Sequence, residues 1–326
     1  MQICIIGGSG FVGSKLIFEL NKGLCYNIDK NCSPFFNDIT TIGDIRYPEQ
    51  INFKKETSTV ILLAAEHKDD VDPISLYYDV NVTGTKNVLN KMDEFGIKNL
   101  IFTSSVAVYG LNKSNPDENH FQDPFNHYGK SKLEAEKVIQ KWYKENPSEK
   151  SVFIVRPTVI FGERNRGNVY NLLKQISTGK FLMIGKGTNK KSMAYVGNII
   201  SFINYLLESS NKGLYFFNYT DKPDFSMMEL VSIIEKKMSI KIPKYRIPFL
   251  LGMLGGYFFD LLSFFTNKKF LISSVRVKKF CATTQFNSDK AHDIFKPPYT
   301  LEDGINNTLD FEFINPPDDD IVYYSE

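Results

Sequence analysis

The first half of the chain alternates short, continuously apolar runs with longer segments in which apolar residues recur at helical spacing. Such an alternation is typical of βαβ units and of a parallel sheet covered on both faces. The predicted strands are Ile3–Ile6, Tyr26–Asp29, Val60–Ala64, Leu100–Thr103 and Ser151–Val155. The predicted helices are Phe11–Asn21, Val80–Phe95 and Tyr128–Glu145. The pattern therefore predicts an α/β fold with a doubly wound, Rossmann-type parallel sheet, which binds ligands at the carboxyl ends of its strands.

The alternation ends near residue 165, and the motifs beyond it resemble loops that face a ligand. We therefore expect residues 1–165 to form the sheet domain and residues 166–326 to form a smaller C-terminal substrate-binding domain, partly interleaved with it. The acidic, proline-bearing segment 316–320 is expected at the surface.

Composition narrows the classes of partner. The formal net charge of +2 provides no steering toward nucleic acid, so no nucleic-acid partner is predicted. The four cysteines lack the spacing of a zinc site or a redox motif, so we predict no metal and a reducing, cytoplasmic setting. The first residues enter an apolar strand directly and do not resemble a signal peptide.

A glycine cluster follows the first predicted strand and opens the first helix. Gly7 permits the tight turn, Gly10 lets the backbone approach a pyrophosphate, and Gly13 lets helix and strand pack closely. Asp29 ends the second strand about 20 residues further on, where a carboxylate accepts hydrogen bonds from a ribose 2′-hydroxyl and repels a 2′-phosphate. The motif predicts a dinucleotide site that favours NAD over NADP, although Lys30 weakens the preference. Asp29 as a solvated loop acid is the alternative.

A tyrosine and a lysine four residues apart open the third predicted helix. Spacing of four places Tyr128 and Lys132 on one helical face, where an ammonium group favours the phenolate form of the tyrosine. Ser105, at the end of a predicted strand, can hydrogen-bond the reacting oxygen. An isolated pair of this kind is more often a surface contact. Its place downstream of a dinucleotide motif favours a catalytic role, with Tyr128 as base.

These motifs together resemble the extended short-chain dehydrogenase/reductase family, which comprises nucleotide-sugar epimerases, dehydratases and reductases. The resemblance rests on Gly7–Gly13, Leu63–Ala65, Asn81, Thr103–Ser105, Val108–Gly110, Tyr128–Lys132 and Arg156–Pro157. It implies a Rossmann domain with bound NAD, a small C-terminal substrate domain and a Ser105/Tyr128/Lys132 triad. The predicted cofactor-binding residues are Gly7, Ser9, Gly10, Phe11, Val12, Gly13, Asp29, Asp44, Ile45, Leu63, Ala64, Ala65, Asn81, Ser104, Tyr128, Lys132 and Pro157.

The reaction class follows from what the motifs lack. Family dehydratases carry an acid just after the serine-rich strand end, whereas residues 105–108 read Ser-Val-Ala-Val. Reductases of the family usually use NADPH, which Asp29 disfavours. A 4-epimerase that recycles its own NAD through a transient 4-keto sugar remains. Asn168, Lys191 and Arg276 are candidate diphosphate contacts, each of them alternatively a solvated polar group, and Val159 departs from the asparagine of many epimerases.

A strongly apolar segment changes the substrate prediction. Between Ile247 and Phe265 the sole charge is Asp260, and lysines and arginines flank the segment on both sides. This composition favours residues 247–280 lying in a membrane interface beside anionic headgroups. A buried helix pair or a dimer interface are the alternatives, so a homodimer stays open as a partner.

Three stretches sharpen the resemblance, namely residues 62–71, 119–128 and 273–280. They are similar to those of the undecaprenyl-diphosphate-N-acetylglucosamine 4-epimerases. This implies interconversion of lipid-linked GlcNAc and GalNAc for O-antigen type polysaccharide, peripherally on the cytoplasmic face of the inner membrane. Glu66 and His67 are candidate contacts to the acetamido sugar, or simply a surface loop. The alternatives are a soluble UDP-N-acetylglucosamine or UDP-glucose 4-epimerase, and a catalytically silent NAD-binding protein that docks on membranes.

Overall fold

The computed structural model describes residues 2–20, 22–68, 71–179, 181–209, 211–266 and 273–323. The strands are β1 Gln2–Ile6, β2 Cys25–Asp29, β3 Thr40–Ile42, β4 Thr57–Leu62, β5 Asn99–Thr103, β6 Ser151–Pro157, β7 Val159–Phe161, β8 Met183–Ile184, β9 Lys190–Lys191, β10 Met193–Tyr195, β11 Gly213–Tyr219, β12 Phe225–Ser226 and β13 Arg246–Ile247. The α-helices are α1 Phe11–Glu19, α2 Ser75–Tyr78, α3 Thr85–Glu94, α4 His127–Glu145, α5 Asn168–Ser177, α6 Val196–Glu208, α7 Met227–Met238, α8 Phe249–Thr266, α9 Ser274–Cys281, α10 Asp289–His292 and α11 Leu301–Leu309.

Seven of these strands form one parallel sheet in the order β11-β6-β5-β4-β1-β2-β3. The strand order reverses direction between β1 and β4, so the loops after these two strands diverge and leave a crevice. Residues alternate along each strand between two apolar cores. Ile5 and Ile61 face one core, and Ile6 and Leu62 face the other. The doubly wound Rossmann-type fold predicted from the sequence is confirmed.

Two elements differ most from their predicted boundaries. Strand β4 covers Thr57–Leu62 rather than Val60–Ala64, because the N–H groups of Leu63 and Ala64 both donate to the carbonyl of Ile6, at 2.9 Å each. The chain thus leaves the sheet at the mouth of the crevice. The helix predicted at Val80–Phe95 starts earlier, with α2, and runs through a π-helical stretch, Asp79–Gly84, into α3.

The second half contributes to the sheet as well as to the smaller unit beside it. Strand β11 pairs with β6 over its whole length and is the seventh strand. The remaining short strands pair as β7 with β10, β8 with β13 and β9 with β12. The two halves are therefore interleaved at residues 213–219.

Helix α8 is the apolar segment singled out in the sequence, and its glycines explain how it packs. A Cβ on Gly256 would lie 2.7 Å from the backbone of Ser274, and one on Gly252 would lie 2.7 Å from Ile184. The glycine side therefore packs against α9 and β8. Eight large side chains on this helix are more than half exposed: Leu250, Leu251, Leu254, Tyr257, Phe258, Leu261, Phe264 and Phe265. By length and composition alone this helix could cross a membrane, and 11% of it is buried inside the structure.

Candidate active site

The glycine turn after β1 has the shape of a diphosphate cradle. Gly7 has a φ of +91°, and a Cβ there would lie 2.5 Å from the Ala64 nitrogen. A Cβ on Gly13 would lie 2.5 Å from the Gly8 Cα, so helix and turn pack too closely for any side chain. Around Gly10 the nearest neighbour of a Cβ is the Gly7 carbonyl at 3.4 Å, and the space beyond it is open. A phosphate group fits where that side chain would be, at the N-terminus of α1.

Asp29 is built into the same turn. Its carboxylate accepts hydrogen bonds from the N–H groups of Ser9 and Asn31, both at 2.9 Å. Burial raises the pKa of Asp29, and the two N–H donors lower it. The neighbouring Asn27 accepts the N–H of Gly8 at 2.8 Å. A carboxylate with two donors satisfied keeps lone pairs for ribose hydroxyls, so these residues fit NAD.

Asp44 and Ile45 follow β3, on the far side of the cradle. The Asp44 carboxylate is held by Arg46, with its Nε at 3.0 Å and its terminal nitrogen at 2.6 Å. Ile45 is buried, and a Cβ on Gly84 would lie 2.6 Å from its side chain. Both residues are thus fixed in place, and their predicted contact with the adenine stays a prediction.

Lys132 is a buried cation beside the sheet edge. Its side chain is 2% exposed, its Nζ donates to the carbonyl of Thr103 at 2.8 Å, and it lies 4.8 Å from the centre of the Phe102 ring. Burial lowers the pKa of Lys132 to about 7, and the negative charge of Glu136 opposes that shift. Thr103 takes one of the three N–H donors, which leaves Lys132 able to bind further acceptors.

Tyr128 lies one helical turn before Lys132, near Ser105. Burial raises the pKa of Tyr128 to about 12, and a hydrogen bond with Ser105 lowers it. The sequence led us to expect that Lys132 lowers this pKa. In the protein alone burial is the largest cause of the shift in the pKa of Tyr128, and Lys132 is not among its causes. Ser105 also caps the short helix Val106–Tyr109, accepting the N–H of Ala107 at 3.1 Å.

Asn81 ties the catalytic helix to the loop after β4. Its amide oxygen accepts the N–H of Glu66 at 2.8 Å, and its amide nitrogen donates to the Glu66 carbonyl and to the Ser131 hydroxyl, both at 2.9 Å. The side chain predicted to contact the cofactor is thus bonded to protein. It fixes the loop that carries Leu63, Ala64, Ala65, Glu66 and His67.

A buried polar network beneath the site was missed in the sequence. Glu136, which is 0% exposed, accepts the Ser104 hydroxyl at 2.6 Å and two nitrogens of Arg156 at 2.9 and 2.6 Å. Arg156 also donates to the Tyr109 hydroxyl, which donates to Asn218 on β11, at 2.7 Å each. The Ser104 hydroxyl, predicted for the cofactor, therefore bonds Glu136. The sequence signal that could have found Glu136 was its position one helical turn after Lys132, on the same buried side of α4. Pro157 is buried at the end of β6.

The candidate substrate residues of the second half lie on separate elements. Lys191 donates to the Lys279 carbonyl at 2.7 Å, and burial lowers the pKa of Lys191 to about 8. Arg276 is exposed on α9, and Asn168 is exposed at the start of α5. Val159 is 41% exposed at the start of β7. Over the described residues, no three His, Cys, Asp or Glu side chains are grouped to hold a metal.

The site defines an enzyme class, and comparison with known proteins identifies the family. The pattern of the NAD dependent epimerase/dehydratase family matches residues 3–217. The chain belongs to this family, and the expected resemblance to extended short-chain dehydrogenases/reductases is confirmed. NAD as the cofactor and an isomerase-type enzyme are confirmed with it.

Among curated proteins, the chain is 58% identical to the N-acetyl-alpha-D-glucosaminyl-diphospho-ditrans,octacis-undecaprenol 4-epimerase of Escherichia coli O157:H7, over 100% of this chain and 99% of that protein. It is 27% identical to the UDP-glucose 4-epimerase of Vibrio cholerae, over 94% of each. The catalytically silent alternative finds no support, because these relatives are enzymes.

Solved structures show the same fold. The UDP-glucose 4-epimerase of Thermotoga maritima superposes with a TM-score of 0.73 at 19% identity, covering 96% of this chain and 98% of that one. MoeE5 in complex with UDP-glucuronic acid and NAD gives 0.73 at 18% identity, covering 95% and 98%.

Proposed function

We propose that the protein is a 4-epimerase that interconverts undecaprenyl-diphosphate-linked GlcNAc and GalNAc for O-antigen type polysaccharide synthesis. The observation that carries the proposal is the identity of 58% to the lipid-linked sugar 4-epimerase over the whole chain. The Ser105, Tyr128 and Lys132 arrangement supports it, because it supplies what a reaction at a sugar hydroxyl needs.

The glycine turn, Asp29, the loop Leu63–Ala65 and Lys132 would hold the cofactor. Bound NAD supplies a hydride acceptor and donor at C4 of the sugar. The N–H groups at the start of α1 would face its diphosphate, and Asp29 would accept hydrogen bonds from its adenosine ribose hydroxyls. Lys132 has donors beyond the one that Thr103 accepts, and these would bind the other ribose. Asn81 keeps the loop after β4 in place for this set.

Tyr128 acts as the base. Its phenolate oxygen takes the proton of the sugar 4-hydroxyl and later returns it to the 4-keto oxygen, while Ser105 hydrogen-bonds that oxygen. A pKa of about 12 in the protein alone is too high for this role near neutral pH. A cation beside a phenol lowers its pKa, so Lys132 and the charge of the bound cofactor together activate Tyr128. Between the two half-reactions the 4-keto sugar rotates within the site and presents its other face.

Residues beyond the nucleotide site contact the substrate. We assign Glu66 and His67, on the loop held by Asn81, to the acetamido sugar, because that loop also carries the cofactor residues. Asn168, Lys191 and Arg276 are assigned to the diphosphate. These three residues lie in the second half of the chain. We therefore assign residues 1–165 to the NAD-binding domain and residues 166–326 to the substrate-binding domain, with β11 of the second half completing the sheet of the first.

The exposed face of α8 docks on the membrane that holds the lipid substrate. Leu250, Phe264 and Phe265 are each more than 70% exposed, and Lys244 and Arg246 before the helix are exposed cations. Arg276, Lys278 and Lys279 on α9 are exposed on the helix that packs against it. Lys268 and Lys269 lie outside the described residues. Apolar side chains flanked by cations suit a bilayer with anionic headgroups. The enzyme would thus be peripheral, on the cytoplasmic face of the inner membrane.

The test is a comparison of substrates. Purified protein is incubated with undecaprenyl-diphosphate-GlcNAc, with and without detergent, and separately with UDP-GlcNAc and UDP-glucose. We expect rapid conversion of the lipid-linked sugar and little conversion of the UDP-sugars. Rapid turnover of the UDP-sugars alone would contradict the proposal and favour the soluble UDP-sugar 4-epimerase, the activity named for the Vibrio cholerae relative.

A further inference from the structure

The C-terminal segment docks on the loop that follows β7. Tyr323 donates its N–H to the carbonyl of Arg164 at 2.8 Å, and its carbonyl accepts the N–H of Arg166 at 2.7 Å. These bonds form a parallel bridge opposite Asn165. We call Glu312, Asp319, Ile321 and Tyr323 the C-terminal clasp.

Ion pairs hold the clasp in place. Arg164 pairs with the Asp319 carboxylate, and the Arg164 guanidinium also donates to the Ile321 carbonyl at 2.9 Å. Glu312 accepts the backbone N–H of Arg164 at 2.5 Å and the Arg166 guanidinium at 2.6 Å. Both arginines of the loop that follows β7 are thus paired with the C-terminal segment.

The clasp reaches the underside of the cofactor turn through one side chain. The Tyr323 ring lies 6.1 Å from the ring of Phe11, the first residue of α1. Its phenol oxygen is buried close to Ser14, whose hydroxyl donates to the carbonyl of Gly8 at 3.2 Å. The clasp and the diphosphate cradle therefore share the first turn of α1. A second link joins α1 to the loop on which the clasp docks, because Lys15 of α1 donates to Glu163 at 3.2 Å.

We propose that Tyr323 is a positioning residue for the cofactor, through which the C-terminal clasp keeps the diphosphate-binding turn formed and slows the release of NAD. Tyr323 acts through Phe11 and Ser14. The reason why slow release of NAD would matter rests on the proposed function. A 4-epimerase has to keep its cofactor between the two half-reactions, since release in between would leave an oxidised sugar in the site.

The experiment measures cofactor release without any sugar. NADH bound to the full-length protein is displaced by excess NAD, and the loss of its fluorescence gives the dissociation rate. For Tyr323→Ala we expect release about tenfold faster, which corresponds to about 1.4 kcal/mol. Tyr323→Phe keeps the ring on Phe11 and should release NADH at nearly the wild-type rate. Melting temperatures without cofactor are recorded in parallel.

A matched pair of acids provides the control. Asp319→Ala removes the partner of Arg164 and should accelerate release roughly threefold, or about 0.7 kcal/mol. Asp320→Ala removes the same charge one residue along and should leave the rate unchanged. A lower melting temperature with an unchanged release rate in Tyr323→Ala would overturn the proposal and give the clasp a purely structural role. If that variant does not fold, an unchanged rate in Asp319→Ala overturns it equally.

The sugar specificity does not enter this measurement. Failure of the lipid-linked substrate assay, with faster NADH release in Tyr323→Ala, would overturn the proposed substrate and leave the clasp standing. A wild-type protein that binds no NADH would overturn the clasp as a cofactor device.

Discussion

The cofactor cradle and helix α8 place polar and apolar groups in opposite ways. Around the cradle, Lys132 and Glu136 are buried, and named partners accept or donate their hydrogen bonds. On α8, Leu250 and Phe264 are three-quarters or more exposed. Burying a charge is costly unless it is paired, and exposing a large apolar patch is costly unless something covers it. The first region is therefore complete within the chain, whereas the second needs a partner that we take to be the membrane.

The largest expected effect is a loss of catalysis in a variant that still binds the cofactor. Tyr128→Phe removes the phenol that takes the proton, so kcat should fall about a thousandfold. The binding of NADH should stay close to wild type, because the ring remains. Turnover is measured with detergent-solubilised lipid-linked sugar. Wild-type turnover in this variant would contradict the assigned base.

The second effect is a loss of membrane binding in a variant that still catalyses the reaction. Leu254→Glu combined with Leu261→Glu places two charges on the exposed face of α8, so binding to vesicles with anionic lipids should fall roughly a hundredfold. Turnover in detergent should be kept. Ile294→Glu, also at an exposed apolar position, serves as the control. Unchanged vesicle binding in the double variant would show that α8 is covered in some other way.

The third effect tests the network beneath the site. Glu136→Gln keeps the shape of the side chain but removes the charge that balances Arg156, so the edge of the sheet carrying Ser104 and Ser105 should loosen against α4. We expect kcat to fall about thirtyfold at pH 7, with a smaller loss of about threefold for Ser104→Ala, which removes one neutral hydrogen bond. If Glu136→Gln turns over at the wild-type rate, the network only supports the fold.

The smallest effect concerns pH and stability. The pKa of Lys132 is about 7 in the fold and about 10.5 in the unfolded chain, so the unfolded chain binds more protons between these values. The free energy of unfolding without cofactor should therefore rise with pH, by about 1 kcal/mol between pH 7 and pH 8 from this residue.

Denaturant unfolding at these two pH values provides the measurement. Lys132→Met should lose that part of the rise, whereas Lys130→Met, at an exposed position on the same helix, should keep it. An equal rise in both variants would show that Lys132 is not the group responsible.

Much of the cradle was predictable because its parts are close in sequence. A strand, a glycine turn and a helix follow one another within residues 2–19, and Tyr128 and Lys132 are one helical turn apart. The residues that support them come from distant parts of the chain. Asn218 joins the Arg156 network from β11, a strand that the alternation of apolar and amphipathic segments did not predict. The side chain of Asn81, predicted to contact the cofactor, forms its hydrogen bonds within the protein.

Charges in the second half were the least predictable. Arg164 and Arg166 both pair with acids about 150 residues later in the chain. A sequence shows that a cation is present but not which acid the fold brings to it. The role of the α8 glycines was likewise not predicted: in the structure Gly252 lets β8 approach and Gly256 lets α9 approach.

The sequence by itself determined the fold class, the glycine turn, the spacing that places Tyr128 and Lys132 one helical turn apart, and the apolar segment, because each is encoded in local order and spacing. The tertiary structure decided what those residues touch. In the structure the Ser104 hydroxyl bonds Glu136, and the acidic segment near residue 319 pairs with the loop after β7. One face of α8 is left uncovered by the described residues. Burial also reversed the expected pKa of Tyr128, since desolvation depends on all the surrounding chain and not on a neighbour four residues away.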